Sequence, residues 1–489
     1  MHSGSELKGR RRWLAFMVLC LGAIMIVLDS TIVNVALPTI RTELRFSESS
    51  LAWVVNAYLL TFGGFLLLGG RLGDLFGHRR IFLIGLTVFT LSSLACGLAT
   101  TQWFLIASRA VQGLGGAVLN AVVLSLMMNL FPEPGERAKA MGIYGFVCAG
   151  GGSLGALLGG LLTNSLDWHS IFLVNIPIGA GVFALILILL PADRKGSGSG
   201  GLDVAGAVAV TASLMLAVFA IVNGNEAGWL SGRTLGLLAA AAALLGVFLR
   251  IESRVASPLV PLGVFKSRNI STANGVAVLW AAAMFAWFFL SALYLQLVLG
   301  YNPLQVGMAF LPANLIMAAF SLGLSAKIVA RFGIRPPLTV GLAVAAAGLL
   351  LFARAPEHGR FLLDVLPSMI LLGLGAGIAF NPLLLVAMAD VAPAESGLAS
   401  GLVNTSFMMG GALGLAVLAS LAAFRTGSLS AAGAASIAAL NGGYHAAFLA
   451  GAVFAGVAAV LGGAVLRPAA MPEAEAGAAL KDKTMMTTH

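Results

Sequence analysis

The chain has 489 residues, of which 59% are hydrophobic and only 10% charged, with a mean hydropathy of +0.98, whereas soluble domains carry about 25% charge. A water-soluble globular fold is excluded, and at roughly 20 apolar residues per span the chain has room for a dozen or more transmembrane helices. The net charge of +9 does not point to nucleic acid, because the bases sit mostly in short loops between apolar runs.

Windows of about 19 residues predict fourteen spans, over residues 13–36, 51–70, 81–99, 103–130, 138–162, 171–190, 204–222, 235–250, 270–299, 303–331, 338–352, 361–389, 397–424 and 444–466. The basic run Lys8-Gly-Arg-Arg-Arg12 ahead of the first imitates a secretory signal. The apolar stretch then continues to Pro38 without a small-residue cleavage site, so it reads as a retained span.

Within that span, Asp29 lies in Leu28-Asp-Ser-Thr-Ile-Val-Asn-Val-Ala-Leu-Pro38, where an ionised carboxylate costs several kcal/mol on rough insertion scales. Such a group suits a proton held in one conformation and released in another; the alternative is a structural ion pair or interhelical hydrogen bond. Between the second and third spans runs Gly70-Arg-Leu-Gly-Asp-Leu-Phe-Gly-His-Arg-Arg80. Asp74, flanked by Gly73 and Gly77 in an expected tight turn, would bond a helix N-terminus or pair with a base across a bundle interface. In the fourth span Arg109 shares a helical face with Gly113, Gly116 and Asn120. That stripe admits a close backbone, and the guanidinium supplies a permanent charge, unless it only snorkels to an interface.

The fifth span repeats Gly151, Gly155 and Gly159, with Gly152, Ala156 and Gly160 as an adjacent lane. Two lanes of small residues predict tight helix packing, and a helix that packs closely yet bends easily suits a moving seam. Asp167, His169 and Ser170 lie too close on one short loop to form a nucleophile triad. Gly196-Ser-Gly-Ser-Gly-Gly201 is a flexible linker, and Ser257-Pro-Leu-Val-Pro-Leu-Gly-Val-Phe265 a second break. They bracket two spans, which predicts a 6 + 2 + 6 arrangement: an N-terminal six-helix bundle over 1–190, an inserted pair within 191–269, a C-terminal bundle over 270–466, and a tail over 467–489. The ninth span is aromatic through Trp280, Trp287, Phe288, Phe289 and Tyr294, as pocket lining, packing or lipid contact. Asn34, Asn56, Gln112, Gln296, Asn314, Asn381 and Asn404 are polar groups in spans, each a ligand contact or interhelical glue. Cys20, Cys96 and Cys148 form no C-x-x-C pair and indicate neither disulfides nor metal. No nucleotide-binding loop of the G-x-x-x-x-G-K type is present.

With both termini cytoplasmic, 21 of the 28 bases fall on the inner side and six on the outer, leaving Arg109 within a span. The positive-inside rule favours that orientation.

Taken together these stretches resemble the fourteen-helix drug:proton antiporter branch of the Major Facilitator Superfamily, over nearly the whole chain. The first span is similar to its Leu-Asp-x-Thr-Ile-Val-Asn-Val-Ala-Leu-Pro element, and the 70–80 loop to the G-x-L-x-D-x-x-G-x-(R/K)-(R/K) signature. Arg109-Ala-Val-Gln-Gly-Leu-Gly115 is similar to R-x-x-Q-G-x-G, and Tyr294-Leu-Gln-Leu-Val-Leu-Gly300, Gly401-Leu-Val-Asn-Thr405 and Gly410-Gly-Ala-Leu-Gly414 also resemble this branch. The antiporter element of the fifth span, from Gly142 through Gly151 and Gly155, departs from the pattern by having Ala156 where proline is expected. The loop Trp168-His-Ser-Ile-Phe172 lacks a further Arg and Trp common in the branch.

The resemblance implies an all-α membrane protein whose two bundles rock about a central site and export lipophilic or amphipathic compounds in exchange for protons. Asp29 and Arg109 would serve proton coupling, and Gly70, Arg71, Asp74, Gly77 and Arg79 an inner gate. Asn34, Gln112, Trp287, Tyr294, Gln296, Asn314, Asn381 and Asn404 are candidate cavity residues. A non-enzymatic, monomeric protein of the bacterial cell membrane is expected, driven by the proton gradient and needing no cofactor, metal or nucleic acid. Carriage of one endogenous metabolite or lipid, uptake by symport, and a non-transporting sensor or assembly subunit stand as rivals.

Overall fold

The structure, a computed structural model, describes residues 9–131, 133–191, 201–388 and 396–466, and these contain helices and no strand. The longer helices are α1 (Gly9–Leu44), α2 (Trp53–Phe76), α3 (His78–Gly97), α4 (Gln102–Leu130), α5 (Pro134–Ser165), α6 (Asn175–Leu189) and α7 (Val204–Ala227). They continue with α8 (Gly232–Glu252), α9 (Arg268–Leu293), α10 (Pro303–Ala319), α11 (Arg335–Phe352), α12 (Leu366–Met388), α13 (Ser396–Ala431) and α14 (Ser436–Ala464). Twelve helices are long and apolar enough to cross a membrane among the described residues. The other two predicted spans are helical, but their apolar described stretches are shorter, Leu154–Ser165 in α5 and Pro303–Ala319 in α10. Most of the Gly196–Gly201 linker and all of the tail over 467–489 lie outside the described residues.

Local chemistry sets the ends. Thr101, Asp203, Ser231 and Ser267 accept from backbone amides as N-caps of α4, α7, α8 and α9, and Asn302 with Gln305 forms a capping box ahead of Pro303. Gly77 turns α2 into α3 at φ 94°, a backbone that side chains with a Cβ rarely adopt. After α10 the chain passes through a π-turn over Phe320–Leu324, with Gly323 at φ 114°, into the short helix Ser325–Phe332.

Helices α1 to α6 pack mainly among themselves, α1 against α5 and α6, and α4 against α2 and α3. So do α9 to α14, where α9 lies on α13 and α14, and α11 on α12 and α14. Two main seams join these groups, α5 with α10 and α2 with α13, and α1 also touches α9 and α10. The hairpin of α7 and α8 attaches at the second seam, where α7 touches both α2 and α13.

Candidate functional site

Asp29 sits near the middle of α1 and is fully buried, and Arg109 of α4 is 1% exposed. Arg109 Nη1 donates to Asp29 Oδ2 at 2.5 Å and to Gln112 Oε1 at 2.7 Å. Gln112, one turn along α4, donates through Nε2 to Asp29 Oδ1 at 2.6 Å. Asn175, the first residue of α6, donates to the same oxygen at 3.3 Å and to Ser93 Oγ of α3 at 3.0 Å. Ser93 in turn donates to Phe172 O at 2.9 Å. A carboxylate accepts several donors at once, so one acidic oxygen pair collects side chains from α1, α4 and α6, with α3 behind them.

The guanidinium is held independently of Asp29 as well. Its Nε donates to Val54 O of α2 at 3.0 Å, and its face lies 4.4 Å from the Tyr58 ring and 5.6 Å from that of Phe172, a geometry in which ring quadrupoles attract cations. Gly113 makes this possible, because a Cβ there would collide with Thr61 Oγ1 and the Tyr58 backbone. α2 therefore lies close enough for Arg109 to reach its carbonyl. A buried ion pair must recover a desolvation cost of several kcal/mol per ion, and here amides, a backbone carbonyl and two rings all contribute. If Asp29 took up a proton, Arg109 would keep Gln112, Val54 O and the rings.

The two lanes of α5 serve different partners. A Cβ on Gly151 would touch Val27, one on Gly155 would meet Thr31 and Leu28 O, and one on Gly159 would lie 2.7 Å from Ile32 O, all on α1. On the other lane, a Cβ on Gly160 would lie 2.6 Å from Pro303 O, and one on Gly307 of α10 would lie 2.5 Å from Ala156 O. Asn314 Nδ2 also donates to Gly152 O at 3.4 Å. One lane thus packs within the first helix group and the other forms the α5–α10 seam. Gly142 belongs to the part of α5 whose side-chain surroundings lie outside the described residues.

The residues around the α2–α3 turn occupy one end of the molecule. Asp74 lies in the last helical turn of α2 rather than in the turn itself, 55% exposed, with His78 Nε2 at 3.4 Å from Oδ1. Its partner is local, four residues away, and not a base on the other helix group. Arg71 is exposed, and a Cβ on Gly70 would meet nothing. Arg79 donates to Leu187 O at 2.9 Å and Arg11 to Ile188 O at 2.6 Å. Two guanidiniums thereby serve the carbonyl end of α6, where positive charge complements the helix dipole. Arg12 bonds both oxygens of Glu136 at 2.5 and 2.6 Å.

The candidate cavity residues have different partners. Gln112 belongs to the Asp29 network. Asn34 bonds Ser30 O of its own helix, while Gln296 reaches from beyond α9 to Val35 O of α1 at 2.8 Å. Tyr294 donates to Pro356 O at 2.7 Å. Trp287 is buried against Phe288 and Phe310, and among the described residues its indole N–H has no acceptor. Asn381 and Asn404 are half-buried. Sequence reasoning passed over Asn175, Ser93 and Tyr58. Asn175 carries the same signal as the asparagines that were singled out, an amide inside an apolar run.

A sequence profile described as the Major Facilitator Superfamily matches residues 19–415. The chain belongs to this family. It is 40% identical over 411 residues to the puromycin resistance protein pur8 of Streptomyces alboniger, covering 83% of this chain and 81% of that one. It is 39% identical over 407 residues to the cephamycin export protein CmcT of Amycolatopsis lactamdurans, covering 83% and 84%. To the tetracenomycin C resistance and export protein of Streptomyces glaucescens it is 34% identical, covering 87% and 78%. Among solved structures, a bacterial homolog of the human lysosomal transporter Spinster, inward-facing and unoccupied, matches with a TM-score of 0.66 at 17% identity, covering 95% of this chain and 100% of that one. An auto-inhibited POT family peptide transporter matches with a TM-score of 0.68 at 15% identity, covering 95% and 98%. At such identities these two establish the family's fold and nothing finer.

Proposed function

We propose that the chain is a proton-coupled transporter that exports lipophilic or amphipathic drugs or antibiotics across the bacterial cell membrane by alternating access. The observation that carries this reading is the buried Asp29–Arg109 pair, a titratable charge whose cation has other partners waiting. The names of the relatives, resistance and export proteins for antibiotics, support the direction and the substrate class. Both termini lie in the cytoplasm in this reading, and α5 and α10 cross the membrane with the other twelve helices. The monomer comprises bundles over 1–190 and 270–466, the inserted pair within 191–269 and the tail over 467–489.

That orientation puts the Gly160–Pro303 contact and the Gln296–Val35 bond on the outer side. The state described is then closed outward, with Asp29 paired to Arg109. Substrate enters from inside, the bundles rock with the α5 glycine lane as one pivot, and Asp29 is protonated from outside as substrate leaves. Arg71, Asp74, Arg79 and the Gly77 turn act as the inner gate, which must hold when the inner side closes. Coupling requires that proton and substrate favour different conformations. One proton moving down 100 mV supplies about 2.3 kcal/mol, and each pH unit adds about 1.4 kcal/mol, enough for roughly tenfold to hundredfold accumulation.

The test is reconstitution in liposomes with an imposed pH gradient, following puromycin and lipophilic dyes beside internal pH. Efflux should follow the gradient and vanish in Asp29→Asn. Efflux indifferent to the gradient, or unchanged in Asp29→Asn, would refute the coupling.

A further inference from the structure

At the base of the α7–α8 hairpin, away from the central site, two acidic side chains are buried beside each other. Asp203 and Glu252 are each 4% exposed. Asp203 Oδ1 accepts from Gly206 N at 2.7 Å as the cap of α7, and Glu252 Oε2 accepts from Val260 N at 3.0 Å. Among the described residues, their remaining oxygens, Asp203 Oδ2 and Glu252 Oε1, are buried without a well-formed hydrogen bond, although the Leu259 amide also lies near the Glu252 carboxyl. The two carboxyl groups stand within hydrogen-bonding reach of each other. Leu68 of α2, Ala207 and Leu259 form the apolar cluster at this place.

Among the described residues, the charge acting on Glu252 is that of Asp203. Arg250, Arg254 and Lys266 on the hairpin side and Arg71 on α2 are exposed, and Asp74 is half-exposed beside His78. Two carboxylates that face each other out of water cannot both stay ionised without a counter-ion. A single proton between them supplies the donor that both orphan oxygens lack. We infer that Asp203 and Glu252 share one proton and form a second proton-binding site, distinct from Asp29, at the foot of the inserted hairpin.

The site goes beyond the proposed transport mechanism and does not depend on it; only its placement on the cytoplasmic side rests on the proposed orientation. Loss of the shared proton sets two negative charges against each other beside Leu68 and Leu259. The acids then part, releasing the Gly206 and Val260 amides and loosening the hairpin from α2. Because α7 also touches α13, the second seam becomes sensitive to pH.

Infrared difference titration of the full-length protein in liposomes, without substrate, tests this. A protonated-carboxyl carbonyl band that shifts in heavy water should be present at neutral pH and disappear on titration to alkaline pH. It should be lost in Glu252→Gln and in Asp203→Asn, where asparagine remains a good cap for α7, and retained in Asp29→Asn. Hydrogen exchange at Gly206 and Val260 should speed up as the band disappears. A protein without such a band, or a band surviving both substitutions, would overturn the proposal. So would a band that emerges only after a chelator removes a divalent cation.

Discussion

Helices α1 to α6 surround Asp29 and Arg109 with side-chain amides from α4 and α6 and a backbone carbonyl from α2, whereas α9 to α14 bury no charged side chain among the described residues. There Ser406 of α13 donates to Asn274 Oδ1 of α9 at 2.6 Å and Asn441 to Ala355 O at 3.1 Å, while the indole N–H groups of Trp280 and Trp287 meet no acceptor among the described residues. Aromatic stacking fills the rest, with Phe288 on Phe310 at 5.5 Å between ring centres. The contrast teaches that the buried ion pair resides in one half, while among the described residues the other half offers a wall without buried charge. A rocking transporter needs only one half to carry the proton, provided that the seams transmit its state.

The strongest way to break this comparison is to remove its charge. Asp29→Asn leaves Arg109 buried without a counter-ion and should cost about 3–5 kcal/mol of stability, measured by thermal unfolding in detergent, with loss of gradient-driven efflux. Asp29→Asn with Arg109→Gln should regain most of that stability and none of the coupling. Next in size is the seam. Gly160→Leu forces a side chain into Pro303 and Leu304 and should cost about 1–3 kcal/mol in the closed state, slowing transport while substrate binding persists. Gly152→Ala, where a Cβ meets nothing, should transport like the wild type.

A smaller effect sharpens the contrast between halves. Asn175→Ala and Asn441→Ala each remove a buried hydrogen bond worth about 1 kcal/mol and should lower stability alike. Only Asn175→Ala should weaken the coupling of efflux to the pH gradient. The smallest change in stability is expected for Asp74→Asn, under about 0.5 kcal/mol because the His78 pair is exposed. A gating role would show as slower turnover at unchanged unfolding temperature.

Much of this was legible in the sequence. Asp29 and Arg109 stand out because charge inside an apolar run is costly wherever it lies, and the α5 glycines because their four-residue repeat marks a helix face. The pairing of Asp74 was not legible, since a helical last turn and the half-turn after it look alike around Gly73 and Gly77, and the difference decides which base it meets. Asn175 escaped because nothing local separates an amide that bonds across helices from one, like Asn34, that bonds its own backbone. Asp203 and Glu252 sit at helix ends, where acids are ordinarily solvated. The chain's return past Leu259 and Val260 brings an amide and apolar cover to the hairpin base.

The central claim is that Asp29 exchanges its proton against substrate. It is tested most directly by mixing purified protein with puromycin in weakly buffered detergent solution and recording proton release or uptake in a single binding event. The account predicts a proton change on substrate addition whose size varies with pH and which is absent in Asp29→Asn. Saturable puromycin binding with no proton change at any pH, or the same change in Asp29→Asn, would contradict it.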